Sequence, residues 1–151
     1  KFDKMEEEIF EIPRIEREII EDTGVIKEAD IKFSKGLNII VGINGSGKTT
    51  VIKYLLNRYD LNTMSCGERI MFNLQRALKN TALLIDNGLN RLSDENLIKI
   101  LKEMSNSKRQ VIATLHFSRF KRISGKVKAN IINTKKFKLN RQHEKKKKNN
   151  K

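Results

Sequence analysis

Residues 37–50 (LNIIVGINGSGKTT) carry the side chains whose types and spacing specify a chemistry most clearly. Gly42 is followed by four residues and then by the run GKT, which is the spacing of a phosphate-binding loop between a strand and a helix. Glycines let backbone N–H groups approach phosphate oxygens, and a helix that begins there directs its positive end to the same point. Lys48 would contact the β- and γ-phosphates, and the Thr49 hydroxyl would ligate the Mg²⁺ that bridges them. This stretch therefore predicts a cradle for a nucleotide and its metal.

The predicted nucleotide contacts extend over the whole loop and one residue beyond it. Asn44 and Ser46 occupy permissive turn positions between the glycines. The alternative is an ordinary glycine-rich turn, but such a turn needs neither a lysine at this place nor a hydroxyl directly after it. The contacts that we predict for the nucleotide are Gly42, Ile43, Asn44, Gly45, Ser46, Gly47, Lys48, Thr49 and Thr50.

Two further polar residues follow apolar runs later in the chain. Asp86 closes the run TALLI, and His116 closes the run VIATL. Because the carboxyl ends of parallel strands meet at one edge of a sheet, we expect both residues beside the glycine-rich loop. Asp86 would hold the metal through water, together with Thr49, and His116 would contact the γ-phosphate or order the attacking water. Lys48, Asp86 and His116 are the candidate catalytic residues, although an aspartate or histidine at a strand end can also be purely structural.

The elements that position these residues alternate between strand and helix. Strands are predicted at 37–41, 81–86 and 110–115, with helices over 49–59, from Ser65 to about residue 80, and from Ser93 onward. Ahead of them, the Asp22–Gly24 turn joins two segments into an antiparallel hairpin, and Pro13 favours an edge strand. The pattern predicts an α/β fold of the P-loop NTPase class, with a mostly parallel sheet, flanking helices and an N-terminal antiparallel hairpin.

The second predicted helix has a clear start and an apolar side. Ser65 and Glu68 have the spacing of a capping box, which satisfies free N–H groups at a helix start. The apolar side of this helix is expected to be its buried side. Its residues are Ile70, Phe72, Leu74, Ala77 and Leu78.

Charge divides the chain unevenly. Residues 1–116 carry 18 Lys and Arg against 17 Asp and Glu, a net charge of +1, whereas residues 117–151 carry 14 against one, a net charge of +13. We expect one domain over residues 1–140, with one or two edge strands after Phe117, and a disordered basic tail over residues 141–151. A basic segment of this kind can bind DNA through its phosphates, whereas a solubilising tail is the alternative.

No apolar run approaches the length of a membrane span, and the charged start is not a secretory signal. These features predict a soluble, intracellular protein of the cytoplasm. The single cysteine, Cys66, excludes an internal disulfide and a cysteine-based metal site.

Four stretches, in this order, resemble the heads of ATP-binding-cassette ATPases of the SMC and double-strand-break-repair type. GINGSGKTT is similar to the Walker A motif, MSCGE (residues 64–68) to the family signature, TALLID to Walker B, and VIATLH to the strand with the switch histidine. In that family two heads enclose two ATP molecules, and the signature of one head closes on the γ-phosphate held by the other. The resemblance thus implies ATP and Mg²⁺, an ATP-dependent homodimer, and contacts from Ser65, Gly67 and Glu68 to the partner's nucleotide, unless Ser65 and Glu68 only cap the helix.

The chain departs from that family at two places. Asn87 stands where the family usually has the glutamate that polarises water, and an asparagine cannot accept a proton. Residues 50–64 leave no room for the family's helical lobe or coiled coil, and they contain no glutamine to sense the γ-phosphate. If water is activated by a carboxylate, Asp94 or Glu95 would have to supply it.

Together these features predict an ATP-binding head and weak ATPase that couples its nucleotide state to self-association and DNA binding. One alternative, motivated by Asn87, is an ATP-dependent binding switch that does not hydrolyse ATP. Another is a small P-loop kinase that phosphorylates a metabolite, for which residues 50–64 leave little room for a lid or an acceptor pocket.

Overall fold

The computed structural model describes residues 8–140 and has an α/β fold. Its main sheet has five strands in the order β1-β5-β6-β4-β7, and a smaller antiparallel sheet has the order β2-β3-β8. The strands are β1 (Ile9–Ile12), β2 (Arg17–Glu21), β3 (Ile26–Lys32), β4 (Leu37–Gly42), β5 (Ala82–Ile85), β6 (Gln110–His116), β7 (Asn130–Asn133) and β8 (Lys138–Leu139). The helices are α1 (Lys48–Arg58), α2 (Cys66–Ala77), α3 (Asp94–Asn106) and α4 (Phe117–Ile123).

Strands β5, β6, β4 and β7 run parallel, whereas β1 pairs antiparallel with β5 at one edge of the sheet. The predicted mostly parallel sheet is therefore confirmed. The hairpin ahead of β4 is also confirmed, because β2 pairs antiparallel with β3 through the Asp22–Gly24 turn. Pro13 directly follows β1, an edge strand, which agrees with the inability of proline to donate a ladder hydrogen bond.

Side chains that alternate along the parallel strands build a core on each face of the main sheet. On β4, Ile40 packs with α1 and the smaller sheet, whereas Ile39 and Val41 pack with α3 and α4 on the other face. All six residues of β4 are buried, as expected for a parallel strand that is covered on both sides. Strand β4 is therefore covered by α1 and the smaller sheet on one face and by α3 and α4 on the other.

Helix α2 departs from the sequence prediction. The capping box of Ser65 and Glu68 is present, but only Phe72 of the predicted apolar side is buried. Residues Ile70, Leu74 and Leu78 are 55%, 54% and 78% exposed, and Ala77 is also exposed. The prediction that these residues form a buried side is wrong for all but Phe72, because the helix turns its other apolar residues away from the protein. Periodicity shows that a helix has an apolar side, but not what covers that side.

The segment after β6 also differs from the prediction. The one or two edge strands predicted there are present as β7 and β8, each at the edge of its sheet, but the seven-residue helix α4, which is not predicted, precedes them. On β7, Ile132 is buried and Ile131 is 40% exposed. The predicted basic tail, residues 141–151, lies outside the described residues. Between residues 8 and 140 no helix combines the length and the apolar character that crossing a membrane requires.

Candidate functional site

The glycine-rich loop connects β4 with α1 at the carboxyl edge of the main sheet. Gly45 and Gly47 have φ angles of +77° and +105°, a region that side chains with a Cβ rarely adopt. Gly42 is needed for a different reason, because a Cβ there would lie 2.2 Å from Thr134 Oγ1 and 2.4 Å from Ser46 Oγ. The three glycines are therefore required by backbone angle and close packing, which supports a preformed loop.

Lys48 is the first residue of α1, and its side chain is largely buried. Its Nζ donates hydrogen bonds to the carbonyl oxygens of Gly42, at 2.9 Å, and of Ile43, at 2.8 Å. Burial lowers the pKa of Lys48, while the negative charge of Asp86 acts in the opposite direction. The ammonium group is thus folded back onto the loop, where phosphate oxygens could replace the two carbonyls.

Asp86 follows β5 and lies next to the start of α1. The Thr49 hydroxyl donates to Asp86 Oδ1 at 3.2 Å, and the Thr114 hydroxyl donates to the same oxygen at 3.0 Å. Thr114 also accepts a hydrogen bond from the Asn87 N–H at 3.1 Å. It can make both contacts because β6, which carries it, lies between β4 and β5. Sequence analysis missed Thr114, for which the only signal was a hydroxyl inside an otherwise apolar strand.

A magnesium ion fits the chemistry of the Thr49 and Asp86 oxygens, since Mg²⁺ binds oxygen ligands and uses few of them from the protein. Over residues 8–140, no group of three or more His, Cys, Asp or Glu side chains is placed to hold a metal ion. A metal at Thr49 and Asp86 would therefore need phosphate oxygens and water to complete its coordination.

His116 ends β6 and is the register partner of Gly42 in the parallel ladder. Its Nδ1 accepts a hydrogen bond from the Ser118 N–H at 3.1 Å and so caps the start of α4. Burial, followed by the positive charge of Lys48, lowers the pKa of His116. The neutral ring that accepts at Nδ1 carries its proton on Nε2, which can then donate to an anionic oxygen.

A cavity of about 250 Å³ lies over the loop. Asn87, which follows Asp86, is one of its lining residues and has a left-handed φ angle of +62°. The other lining residues are Val25, Asn44, Gly45, Gly47, Lys48, Thr49 and Thr50. Of the predicted loop contacts, Gly42, Ile43 and Ser46 lie beneath this lining, where Ile43 O accepts from Ser46 Oγ at 2.6 Å. The structure thus brings the loop, Asp86 and His116 to one edge of the sheet.

The remaining predicted site residues lie elsewhere. Ser65 Oγ accepts from the Glu68 N–H at 3.2 Å, and Glu68 Oε1 accepts from the Ser65 N–H at 3.1 Å. The backbone hydrogen bond from Ser65 lowers the pKa of Glu68. Gly67 and Glu68 line a separate groove beside Tyr59, near the end of α1 that is remote from the loop. Within one chain, the capping box and the glycine-rich loop therefore do not form a common site.

Comparison of the chain with protein-family models, with curated proteins and with solved structures found no match. The resemblance to ATP-binding-cassette heads therefore stays a prediction from the sequence. What the chain can bind is inferred from the geometry of the site.

Proposed function

We propose that this chain binds ATP with Mg²⁺ over the loop of residues 42–50 and hydrolyses it slowly. The observation that carries the proposal is the Thr49–Asp86 hydrogen bond, which sets two metal-binding oxygens beside the buried ammonium group of Lys48. A hydroxyl, a carboxylate and a lysine placed around a glycine-rich loop at a helix start are the groups that a Mg²⁺–triphosphate needs.

Each residue has a separate role in this proposal. The N–H groups of the loop bind phosphate oxygens, and Lys48 exchanges its carbonyl partners for the β- and γ-phosphates. Thr49 and Asp86 would hold the metal, which would balance phosphate charge there. His116 donates from Nε2 to the γ-phosphate or to the attacking water.

Slow hydrolysis is supported by the asparagine at position 87, which cannot act as a base, and by the ion pairs of Asp94, one of the two candidate carboxylates. Asp94 is bound by Arg122 at 2.8 Å and by Arg119 at 3.0 Å, and the hydrogen bond from Arg122 lowers the pKa of the carboxyl group. A carboxylate held by two guanidinium groups is a weak base. The ATP-dependent switch without hydrolysis is the alternative that the same observation favours.

The connection between α1 and α2 argues against a small kinase. It consists of a 3₁₀ turn over Leu61–Thr63 and a few flanking residues. A phosphotransferase needs an element that closes over the acceptor, and this connection is too short to provide one.

The exposed stripe on α2, which consists of Ile70, Met71, Leu74 and Leu78, supports self-association. Contiguous apolar patches of a few hundred Å² are usual at sites of protein contact. Ser65 caps this helix, so a partner that covers the stripe would also lie near the helix start, where first-turn N–H groups lack intrahelical acceptors. Self-association in the presence of ATP, and its loss in Ser65→Arg, can be measured by light scattering.

Exposed lysines after β6 support binding to DNA. Residues 117–140 contain eight Lys and Arg and no Asp or Glu. Five of these cations form no salt bridge within the described range: Lys121, Lys126, Lys128, Lys135 and Lys136. Contacts of this type depend on salt and not on base sequence. Truncation after Asn140 should lower DNA affinity at low salt.

The deciding experiment is ATP turnover and ATP binding by the wild-type protein and by Lys48→Ala. We expect Mg²⁺-dependent ATP binding that Lys48→Ala abolishes, with slow release of phosphate. Binding without turnover above that of the variant would favour the nonhydrolysing switch. Phosphate transfer to a nucleoside would favour the kinase, and no binding at all would refute the proposal.

A further inference from the structure

Arg119 of α4 holds the 3₁₀ turn Gly88–Arg91, which follows β5 and ends at Leu92. Its Nη1 donates to the carbonyl oxygen of Asn90 at 2.8 Å, and its Nη2 donates to the carbonyl oxygen of Leu92 at 2.5 Å. Its Nε donates to Asp94 Oδ1 at 3.0 Å. One side chain therefore holds the turn at two points and also holds the start of α3.

The guanidinium group of Arg119 is mostly withdrawn from water, with 14% of the side chain exposed. Its acidic partner, Asp94, is shared with Arg122, whose side chain is 52% exposed and, within residues 8–140, forms side-chain hydrogen bonds only with Asp94. Burial of a cation is costly unless hydrogen bonds compensate it, and here two of the three come from carbonyl groups of the turn. More of the hydrogen bonds that compensate the burial of Arg119 therefore come from the turn than from Asp94.

The same turn is joined to two residues of the candidate nucleotide site. It begins after Asn87, which lines the cavity over the loop, and the Asn90 side chain accepts a hydrogen bond from the His116 N–H at 3.3 Å. Since His116 also caps α4, the turn, His116 and Arg119 form one connected unit. None of these contacts involves the loop of residues 42–49, which is held by its own glycines and by Lys48.

We infer that Arg119 is a positioning residue that sets the preference of the site for a triphosphate over a diphosphate. By holding the turn on α4, it fixes Asn87, which lines the cavity, and the backbone of His116, which lies beside Gly42 at the same edge of the sheet. These are the two residues that would meet a third phosphate. A diphosphate needs only the loop, Lys48 and the metal ligands, and so it is insensitive to the turn. This inference rests on the proposed binding of ATP.

The test compares Arg119→Lys and Arg119→Ala with Arg122→Ala, which removes the other cation from Asp94 but leaves the turn in place. Affinities for Mg²⁺–ATP and Mg²⁺–ADP are measured by calorimetry, and folding is followed by thermal unfolding. We expect the ratio of ATP to ADP affinity to fall about tenfold in both Arg119 variants, because a buried charged hydrogen bond is lost, and to stay unchanged in Arg122→Ala.

Asp94→Asn separates the turn from the ion pair, since it leaves the two carbonyl contacts of Arg119 intact and should preserve the ratio. An unchanged ratio in the Arg119 variants, or an equal fall in Arg122→Ala, would overturn the inference while the proposed function stands. Equal affinities for ATP and ADP in the wild-type protein would also overturn the inference while the proposed function stands. A wild-type protein that binds neither nucleotide would overturn both. If Arg119→Ala does not fold, Arg119→Lys, which keeps the charge but not the fork of donors, decides the question.

Discussion

The Thr49 hydroxyl donates a hydrogen bond to Asp86 Oδ1 at 3.2 Å, although the two residues are 37 positions apart in the chain. The contact joins the first turn of α1 to the end of β5 across the intervening strand β6. Because both oxygens are of the type that magnesium prefers, the two residues should act as one unit in metal-dependent binding.

Substitution of Thr49 should remove the effect of magnesium on ATP binding more than it affects binding itself. We expect Thr49→Ala to reduce the gain in ATP affinity on adding Mg²⁺ by about tenfold, because one metal ligand is lost. Thr49→Ser, which keeps the hydroxyl, should retain most of the gain. Titrations with Mg²⁺ and with EDTA measure it, and a full gain in the alanine variant would contradict the prediction.

Two fully buried threonines should respond oppositely to replacement by valine. Thr114 donates to Asp86 and accepts from the Asn87 N–H, so Thr114→Val should lower the free energy of unfolding by about 1–3 kcal/mol. The Thr134 hydroxyl is buried without a partner in the described part of the chain, so Thr134→Val should raise it by about 1 kcal/mol. Urea denaturation measures both values, and a loss of stability in Thr134→Val would show that its hydroxyl has an unrecognised partner.

Patterns over a few neighbouring residues predicted those parts of the site that lie within one short stretch of the chain. The loop, its helix and the strand ends could be found because glycine spacing and apolar runs act over a few residues. Thr114 and Arg119 could not be found, since their roles depend on β6 lying between β4 and β5 and on the contact of α4 with the turn after β5. The predicted burial of the apolar side of α2 was wrong for a related reason. The sequence shows the same apolar stripe whether or not the protein covers it.

Protonation of His116 should lower the free energy of unfolding as the pH falls. Burial and the positive charge of Lys48 hold the pKa of His116 below its ordinary value of 6.5, so the unfolded chain takes up a proton at a higher pH than the folded protein. The free energy of unfolding therefore decreases as the pH falls from 6.5 toward the depressed pKa, and levels off below it. His116→Asn, which keeps a helix-capping side chain, should lack this component. Denaturation curves on both sides of pH 6.5 measure the difference, and equal pH dependence in the two proteins would disprove it.

The two sides of α2 should differ in their effect on stability. Phe72 is 2% exposed and Leu74 is 54% exposed. Phe72→Ala should therefore cost about 3–5 kcal/mol of unfolding free energy, because it leaves a cavity in the core. Leu74→Ser, measured on the protein at low concentration without ATP, should change it by no more than about 0.5 kcal/mol. A large loss in Leu74→Ser would mean that the stripe is already covered in the isolated protein.

The two bonds from Lys48 to the carbonyl oxygens of Gly42 and Ile43 make the lysine an internal competitor of any anion that enters the loop. Binding then becomes an exchange of partners, in which the ammonium group leaves neutral acceptors for charged ones, and the measured affinity is only the difference between the two sets of bonds. The same two hydrogen bonds hold the loop in shape when no anion is bound, so under the proposed function an incoming ligand would meet a loop that is already formed.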